Sequence, residues 1–446
     1  MGVRMLRRIL PIAAGGAMLA AMVAVLPATA TPAHVTTTRA GTLRLTVSPR
    51  SSAFDAPLTI SISGVTPGQR ATLGVTSVDA TGVKWSSSST YVAGPSGTVD
   101  PATSPAVPAL GVSYFGLDRM GPVDFMTTAA GPGSTFSWWA PKKTTNAFKL
   151  LNFVFSASSG QAHASVTVQR GIALPVTASS ESVAANGFLG EFWEPPAGEN
   201  THVAILEFGG WTGGINPIGG QFASHGYPTL DIAFFGAPGL PKVPKDIPLG
   251  YFAKALGWLA RQPGVDPKRI WVMGTGEYSG GSAAALLLGA YYPTLVHGVV
   301  ALVPSAAAGC FHTLSGGGCY GPPWTFDGRP VPYTTQYDTF HPTDNPAALI
   351  PVRKIRGPVF LDCGGSDSIW DACSHGETIM AELAAAHDAY PHELLSYPDA
   401  GDGIGVPVPY CPGWATYPND LAGSDVVSNP VALAEQWPKL LAFLHN

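Results

Sequence analysis

Between Thr42 and Arg170, apolar and polar residues alternate in short runs: TLRLTVSP, PLTISISG, ATLGVTSV and later HASVTVQR. A period of two puts every second side chain on one face, so each run reads as a strand with one buried face. Turn clusters such as TPGQ and SGTVDP separate the runs. Short alternating strands with regular turns predict an antiparallel β-sandwich over residues 42–172. No catalytic constellation stands out there, and the segment reads as a stabilising module.

From about Gly171 the pattern changes. HVAILEFGG, YPTLDIAFFG, RIWVMG, LVHGVVALVPS, GPVFLDCGGSD and HELLSYPDAG read as buried strands. Between and after them, GQFASHG, LGYFAKALGWLARQ, SAAALLLGAYY, GETIMAELAAAHDA and PVALAEQWPKLLAFLHN read as helices. This alternation predicts a parallel sheet covered on both faces over residues 173–446. One long insert, from Ser305 to Leu349, is rich in proline and aromatics (PPWTFDGRPVPY) and suits a lid or substrate wall.

Composition narrows the class. With 446 residues, 46% hydrophobic and 12% charged, the chain is long enough for two cores and too apolar to be disordered. Residues Met1–Ala30 read as an export signal. Arg4, Arg7 and Arg8 form a basic start, an apolar core runs to about Leu26, and Ala28-Thr29-Ala30 is a cleavage site. The alternative, a membrane anchor, fits less well, because the Gly- and Ala-rich core is short. No other apolar run is long enough to predict a membrane span. Removing the signal takes three arginines and no acids from 24 cationic and 29 acidic residues, leaving a net charge of −8. That balance argues against nucleic acid or an anionic membrane as partner.

An exported chain can hold disulfides. Cys310 and Cys319 flank FHTLSGGG and are the best pair. Cys373–Cys411 is a second candidate, which would leave Cys363 as the odd one, buried in a strand. No cysteine or histidine spacing suggests a metal.

The candidate chemistry centres on RIWVMG-TGEYSGG-SAAALLLGAYY, a strand, a Gly-rich turn and a helix. These are the parts of a nucleophile elbow, which lifts a serine above a parallel sheet. The usual form is G-x-S-x-G; here Ser279 stands in Glu277-Tyr278-Ser279-Gly280-Gly281. Ser282 is the competitor. Ser279 is preferred, because it lies ten residues before Gly289 and leaves nearly three turns of helix. Both serines could instead cap the helix. The acid should follow a later strand, and Asp367 in Gly364-Gly365-Ser366-Asp367 does so, although an Asx turn would look the same.

The base belongs in the loop after the last strand, YPDAGDG, where the residue is Asp402. His375, His387 and His392 lie near it in sequence but outside that loop, and read as surface or cap residues. Asp402 beside Asp367 would raise a carboxyl pKa. Gly210, in the loop after the strand HVAILEFGG, and Gly280 are the candidate oxyanion donors. A rival motif, Gly274-x-Gly276-x-x-Ser279, lacks the third glycine of a dinucleotide fingerprint. It also lacks an acidic ribose partner, since no Asp or Glu occurs between Glu277 and Asp327. No cofactor is therefore expected.

Longer stretches carry a resemblance. GVTPGQ, DATGVKWSSSSTYVAGPSGTVD, GVSYFGLDRMGPV, FASHGYPTLDIAFFGAPGL, ALVPS, PPWTFDGRPVP, GGSDSIW and YPDAG are similar to the acyl-CoA thioesterase / bile-acid-CoA:amino acid N-acyltransferase family. The resemblance covers nearly all of the mature chain. It implies an immunoglobulin-like β-sandwich domain followed by an α/β-hydrolase domain. It also implies hydrolysis or transfer of acyl groups from thioesters through Ser or Cys, Asp and His. Asp367 matches the acid. The elbow carries extra residues, and the histidine of the YPDAGH pattern is Asp402 here. Two functions follow: an exported hydrolase of small acyl thioesters or esters, or a catalytically impaired protein that binds an acyl or other apolar ligand.

Overall fold

Among the described residues, eight strands run from Arg44 to Gly171: β1 (Arg44–Ser48), β2 (Ser51–Ala53), β3 (Thr59–Ser63), β4 (Arg70–Val78), β5 (Lys84–Val92), β6 (Thr127–Thr128), β7 (Leu151–Ser159) and β8 (Ala162–Gly171). The structure, a computed structural model, describes residues 42–131, 134–138, 150–174, 176–209, 213–215, 218–276, 280–311, 318–335, 345–387, 389–413 and 428–446. β1 and β3 pair antiparallel, and the other six form one sheet in the order β2-β8-β7-β4-β5-β6. Its pairs are antiparallel except β2 with β8. Period-two burial explains the faces: Leu73, Val75, Phe153 and Phe155 are fully buried, while Asn152 and Ser156 alternate outward. β5 and β7 were not among the expected runs. In β5 the inward positions include Ser87 and Ser89, whose hydroxyls donate to Pro122 O and, at 3.3 Å, to Leu73 O.

The rest of the chain runs β9 (Thr177–Glu181), β10 (Leu189–Glu194), β11 (Ala204–Gly209), α1 (Gly219–Ser224), β12 (Thr229–Ala233), β13 (Ile247–Pro248), α2 (Leu249–Leu259), β14 (Ile270–Thr275), α3 (Gly281–Tyr291), β15 (Gly298–Leu302), β16 (Trp324–Phe326), β17 (Arg329–Pro330), β18 (Val359–Gly364), α4 (Ala372–Ala386), β19 (His392–Tyr397) and α5 (Ser428–Phe443). Eight of these strands form the central sheet, in the order β9-β10-β12-β11-β14-β15-β18-β19. The six from β11 to β19 pair in parallel, as the strand–helix alternation requires. The sheet departs from the expected all-parallel form at one edge, where β10 is antiparallel to both β12 and β9. The connection from β9 to β10 is too short for a crossover, so the two strands fold back as a hairpin. β13, β16 and β17 form a small sheet within and beside the Pro- and aromatic-rich insert.

β11, β12, β14, β15 and β18 are buried at every position, which is why they read as largely apolar runs, with one buried acid each in β11 (Glu207), β12 (Asp231) and β18 (Asp362). One face of the central sheet shares a core with the N-terminal strands, running from Leu45, Phe54 and Phe153 through Ile205 and Trp271 to Trp437 and Phe443. Asp55 ties this junction. Its Oδ2 accepts from Trp437 Nε1 at 3.0 Å and pairs with His225 Nε2. The other face packs against α2, α3 and the insert's Phe311 and Trp324. No described helix is long and apolar enough to cross a membrane.

Cys310 and Cys319 are bonded, as expected. The second pairing is different: Cys363 joins Cys373, and Cys411 is the free, buried thiol. The physical reason is position. The end of β18 and the first turn of α4 bring these Cα atoms within 5.1 Å, a normal disulfide span.

Candidate active site

β14 lies in the middle of the sheet, between β11 and β15. Its exit is built backbone on backbone. A Cβ on Gly274 would stand 1.9 Å from Gly281 O, and one on Gly281 would stand 2.6 Å from Thr275 O. Only glycine admits that approach, so the end of β14 and the start of α3 lock together. Gly276 N donates to Leu302 O at 3.2 Å, and Gly281 N returns to Gly276 O at 3.2 Å. Gly280 caps α3 at φ +69°, a conformation that glycine adopts without cost. Ser279 and Gly210 lie outside the described residues. Ser282 is the second residue of α3 and has no exposed surface, so its hydroxyl is turned into the protein.

Asp367 and Asp402 sit on two loops that are zipped together. Gly365 N donates to Tyr397 O and Ser366 N to Ala400 O, both at 2.9 Å, and Ser366 Oγ donates to Pro398 O at 3.1 Å. A Cβ on Gly364 would stand 2.3 Å from Ala400 O, which is why this loop opens with glycines. Asp402 begins a short helical turn, Asp402–Gly405. At its other end, a Cβ on Gly405 would stand 3.7 Å from Gly276 N. The turn carrying Asp402 thus abuts the exit of β14. Asp367, Asp402 and the exit of β14 are gathered at the carboxyl ends of the sheet's strands.

Electrostatics couples the two aspartates. Asp367 Oδ1 accepts from Ile369 N at 2.8 Å and Trp370 N at 3.1 Å. Its Oδ2 is buried without a partner. Burial, then the charge of Asp402, push the Asp367 carboxyl up to about 8. Asp402 keeps some surface open to solvent, yet its surroundings are mostly protein, and this burial lifts it to about 6. At neutral pH the pair therefore holds close to one proton between them.

Sequence reasoning missed a third carboxyl, Asp362, on β18. It is fully buried; burial and Asp402 push it up to about 8. Its Oδ1 accepts from Val303 N at 2.7 Å, and its Oδ2 accepts from Gln436 Nε2. Val303 has φ +50°, which is unusual for a β-branched residue, and this hydrogen bond holds it there. Gln436 Nε2 also donates to Ile404 O at 3.2 Å, so α5 braces the turn bearing Asp402. A charged residue inside VFLDCG was the signal available in the sequence.

His375 is corrected. It is not at the surface but fully buried, stacked on Trp370 at 4.4 Å, with Nδ1 accepting from Ala306 N at 3.0 Å. It supports the loop after β15. His387 caps the end of α4 in a left-handed conformation, as read, and His392 starts β19.

Residues 55–181 match the family description "Acyl-CoA thioester hydrolase/BAAT N-terminal region", and residues 247–446 match "BAAT / Acyl-CoA thioester hydrolase C terminal". Mouse peroxisomal succinyl-coenzyme A thioesterase is 27% identical over 414 residues, covering 88% of this chain and 93% of that one. Human bile acid-CoA:amino acid N-acyltransferase is 24% identical over 433 residues, covering 91% and 97%. Among solved structures, MGS-M1, an alpha/beta hydrolase enzyme from a Medee basin deep-sea metagenome library, aligns with a TM-score of 0.40 at 15% identity, over 61% of this chain and 99% of that one.

Proposed function

Because the chain belongs to the acyl-CoA thioester hydrolase/BAAT family, we propose that it is an exported hydrolase of acyl thioesters or esters. The proposed nucleophile is Ser279, with a carboxylate in place of imidazole as base. Ser279 Oγ attacks the acyl carbonyl carbon and gives its proton to ionised Asp402. The carbonyl oxygen turns negative and is held by the N–H groups of Gly210 and Gly280. The carbon–sulfur bond then breaks, and the thiol leaves with the proton from Asp402. Water then gives a proton to Asp402 and attacks the acyl carbon; the bond to Ser279 Oγ breaks, Asp402 returns the proton to Oγ, and the carboxylic acid leaves. Asp367 shares one proton with Asp402 at neutral pH, so the two carboxyls do not both carry charge beside the reacting carbonyl.

The observation that carries this reading is the contact between the two loops and the elbow, made by Ser366 N with Ala400 O and by Gly405 against Gly276. Export rests on Met1–Ala30, which lies outside the described residues. Residues 42–172 as an immunoglobulin-like module, with a boundary at 172/173, belong to the same proposal.

A carboxylate is a weak base for a hydroxyl. Losing the base of a Ser-His-Asp system costs about 10⁶-fold in rate, so turnover should be slow. Asp402 therefore also favours a second reading, a binding protein with a retained acyl pocket. The test is the mature protein assayed with short and long acyl thioesters and p-nitrophenyl esters. Turnover that Ser279→Ala abolishes supports the hydrolase. No turnover by the wild type, together with turnover gained in Asp402→His, selects the binding protein.

A further inference from the structure

Gly280 adjoins Ser279 in the chain, and an aromatic wall stands against it. A Cβ on Gly280 would stand 2.4 Å from Phe311 Cζ and 3.1 Å from Trp324 Cζ2. In indole, Cζ2 and Nε1 are both bonded to Cε2. The edge of Trp324 facing the elbow therefore includes its N–H. Trp324 has no exposed surface, and its Nε1 is buried without a hydrogen-bond partner. Buried indole N–H groups normally find an acceptor, so an orphan in a ring that stands against Gly280 calls for an explanation. Trp271 Nε1 is also unpartnered, but it lies at the opposite end of β14, against His297 and Phe443.

Phe234, Phe252 and Phe311 surround Trp324 with ring centroids 5.7, 5.9 and 6.2 Å away. Nε1 is the only polar side-chain atom among these four rings. Phe311 follows Cys310, whose disulfide to Cys319 braces this part of the wall. We propose that Trp324 is a specificity-determining residue, whose indole N–H donates to an oxygen within the acyl group of the substrate. The carbonyl oxygen at the scissile bond is claimed by the backbone donors, so the partner is a second oxygen. The rings carry no charge to balance a carboxylate, so that oxygen is neutral: an ether, hydroxyl or keto group. The preferred substrates are oxygenated acyl thioesters or esters rather than plain alkyl ones. This rests on the hydrolase reading for the location of the acyl group.

The experiment uses the mature chain and a set of anilides: hexananilide and the analogues in which oxygen replaces each methylene beyond the first in turn. Binding is measured by calorimetry, and hydrolysis is measured on the matching p-nitrophenyl esters. One ether analogue is expected to bind about tenfold to a hundredfold more tightly than hexananilide, as for a buried donor that gains its acceptor. Trp324→Phe is expected to bring that ratio close to one while still binding hexananilide. Equal binding of all analogues by the wild type, or binding of none, overturns the proposal without any variant. So does an unchanged ratio in a Trp324→Phe protein that melts with the wild type. Discrimination among anilides without ester hydrolysis defeats the hydrolase reading alone. Hydrolysis without discrimination defeats the Trp324 assignment alone.

Discussion

Cys363 and Cys373 are bonded to each other, and the segment closed by their bond carries Asp367. Cys363 is fully buried at the end of β18, and Cys373 is partly exposed at the start of α4. Within the segment, the Asp367 carboxylate accepts two backbone N–H groups, those of Ile369 and Trp370. Asp367 is thus held by a covalent bridge at the ends of its loop and by hydrogen bonds inside it.

Removing the bridge should disturb catalysis as well as stability. A chain with both Cys363→Ser and Cys373→Ser is expected to lose about 2–3 kcal/mol in urea unfolding, the entropy of closing so short a loop. In ester hydrolysis its kcat should fall more than its KM rises, because in the proposed mechanism Asp367 acts on Asp402 and does not hold the acyl group. An unchanged kcat would mean that the hydrogen bonds alone keep the loop in place.

The rate should follow a bell with pH. Below about 6 Asp402 is protonated and cannot accept the serine proton, so the rate rises through that value. Above about 8 Asp367 ionises as well, and two adjacent negative charges oppose the negative transition state, so the rate falls. A steady-state profile of kcat/KM against pH reads both limbs. In Asp402→Asn the rising limb should vanish along with most of the rate. A profile that rises only above pH about 8 would point to a different base.

Stability should move the opposite way from that of most acid-sensitive proteins. Asp362 and Asp367 are held near 8 in the folded chain, and Asp124 and Asp231 are also raised by burial. An unfolded Asp ionises near about 3.9. The unfolded chain therefore releases these protons first. Their contribution is full below about pH 4 and is lost as pH rises through about 8. Urea midpoints should be higher at about pH 5 than at about pH 9. Asp362→Asn should reduce the difference.

What the sequence disclosed depended on which force wrote each element. β11, β14 and β18 are covered on both faces, so their burial is recorded as hydrophobicity. β5 hides in KWSSSSTYV, because two of its inward residues are serines satisfied by hydrogen bonds rather than apolar side chains. The loops of Asp367 and Asp402 announced themselves through their glycines, which mark close backbone approach. The Cys363–Cys373 pairing did not, since it depends on where the turn after β18 delivers the next helix. His375 misled because nothing local reveals that Trp370 will lie over it. Trp324 gave no sign either: an aromatic in a proline-rich stretch does not show which polar atom will be left unpaired.

Asp55 and Trp437 meet although 382 positions separate them. Nearly all of the chain must have left the ribosome before that bond can close. Until then the early strands carry an open flank, with Phe222 also awaiting the indole that finally packs 5.0 Å from it. A premature stop that deletes the last helix would therefore be felt at the other end of the polypeptide, as a seam that never seals.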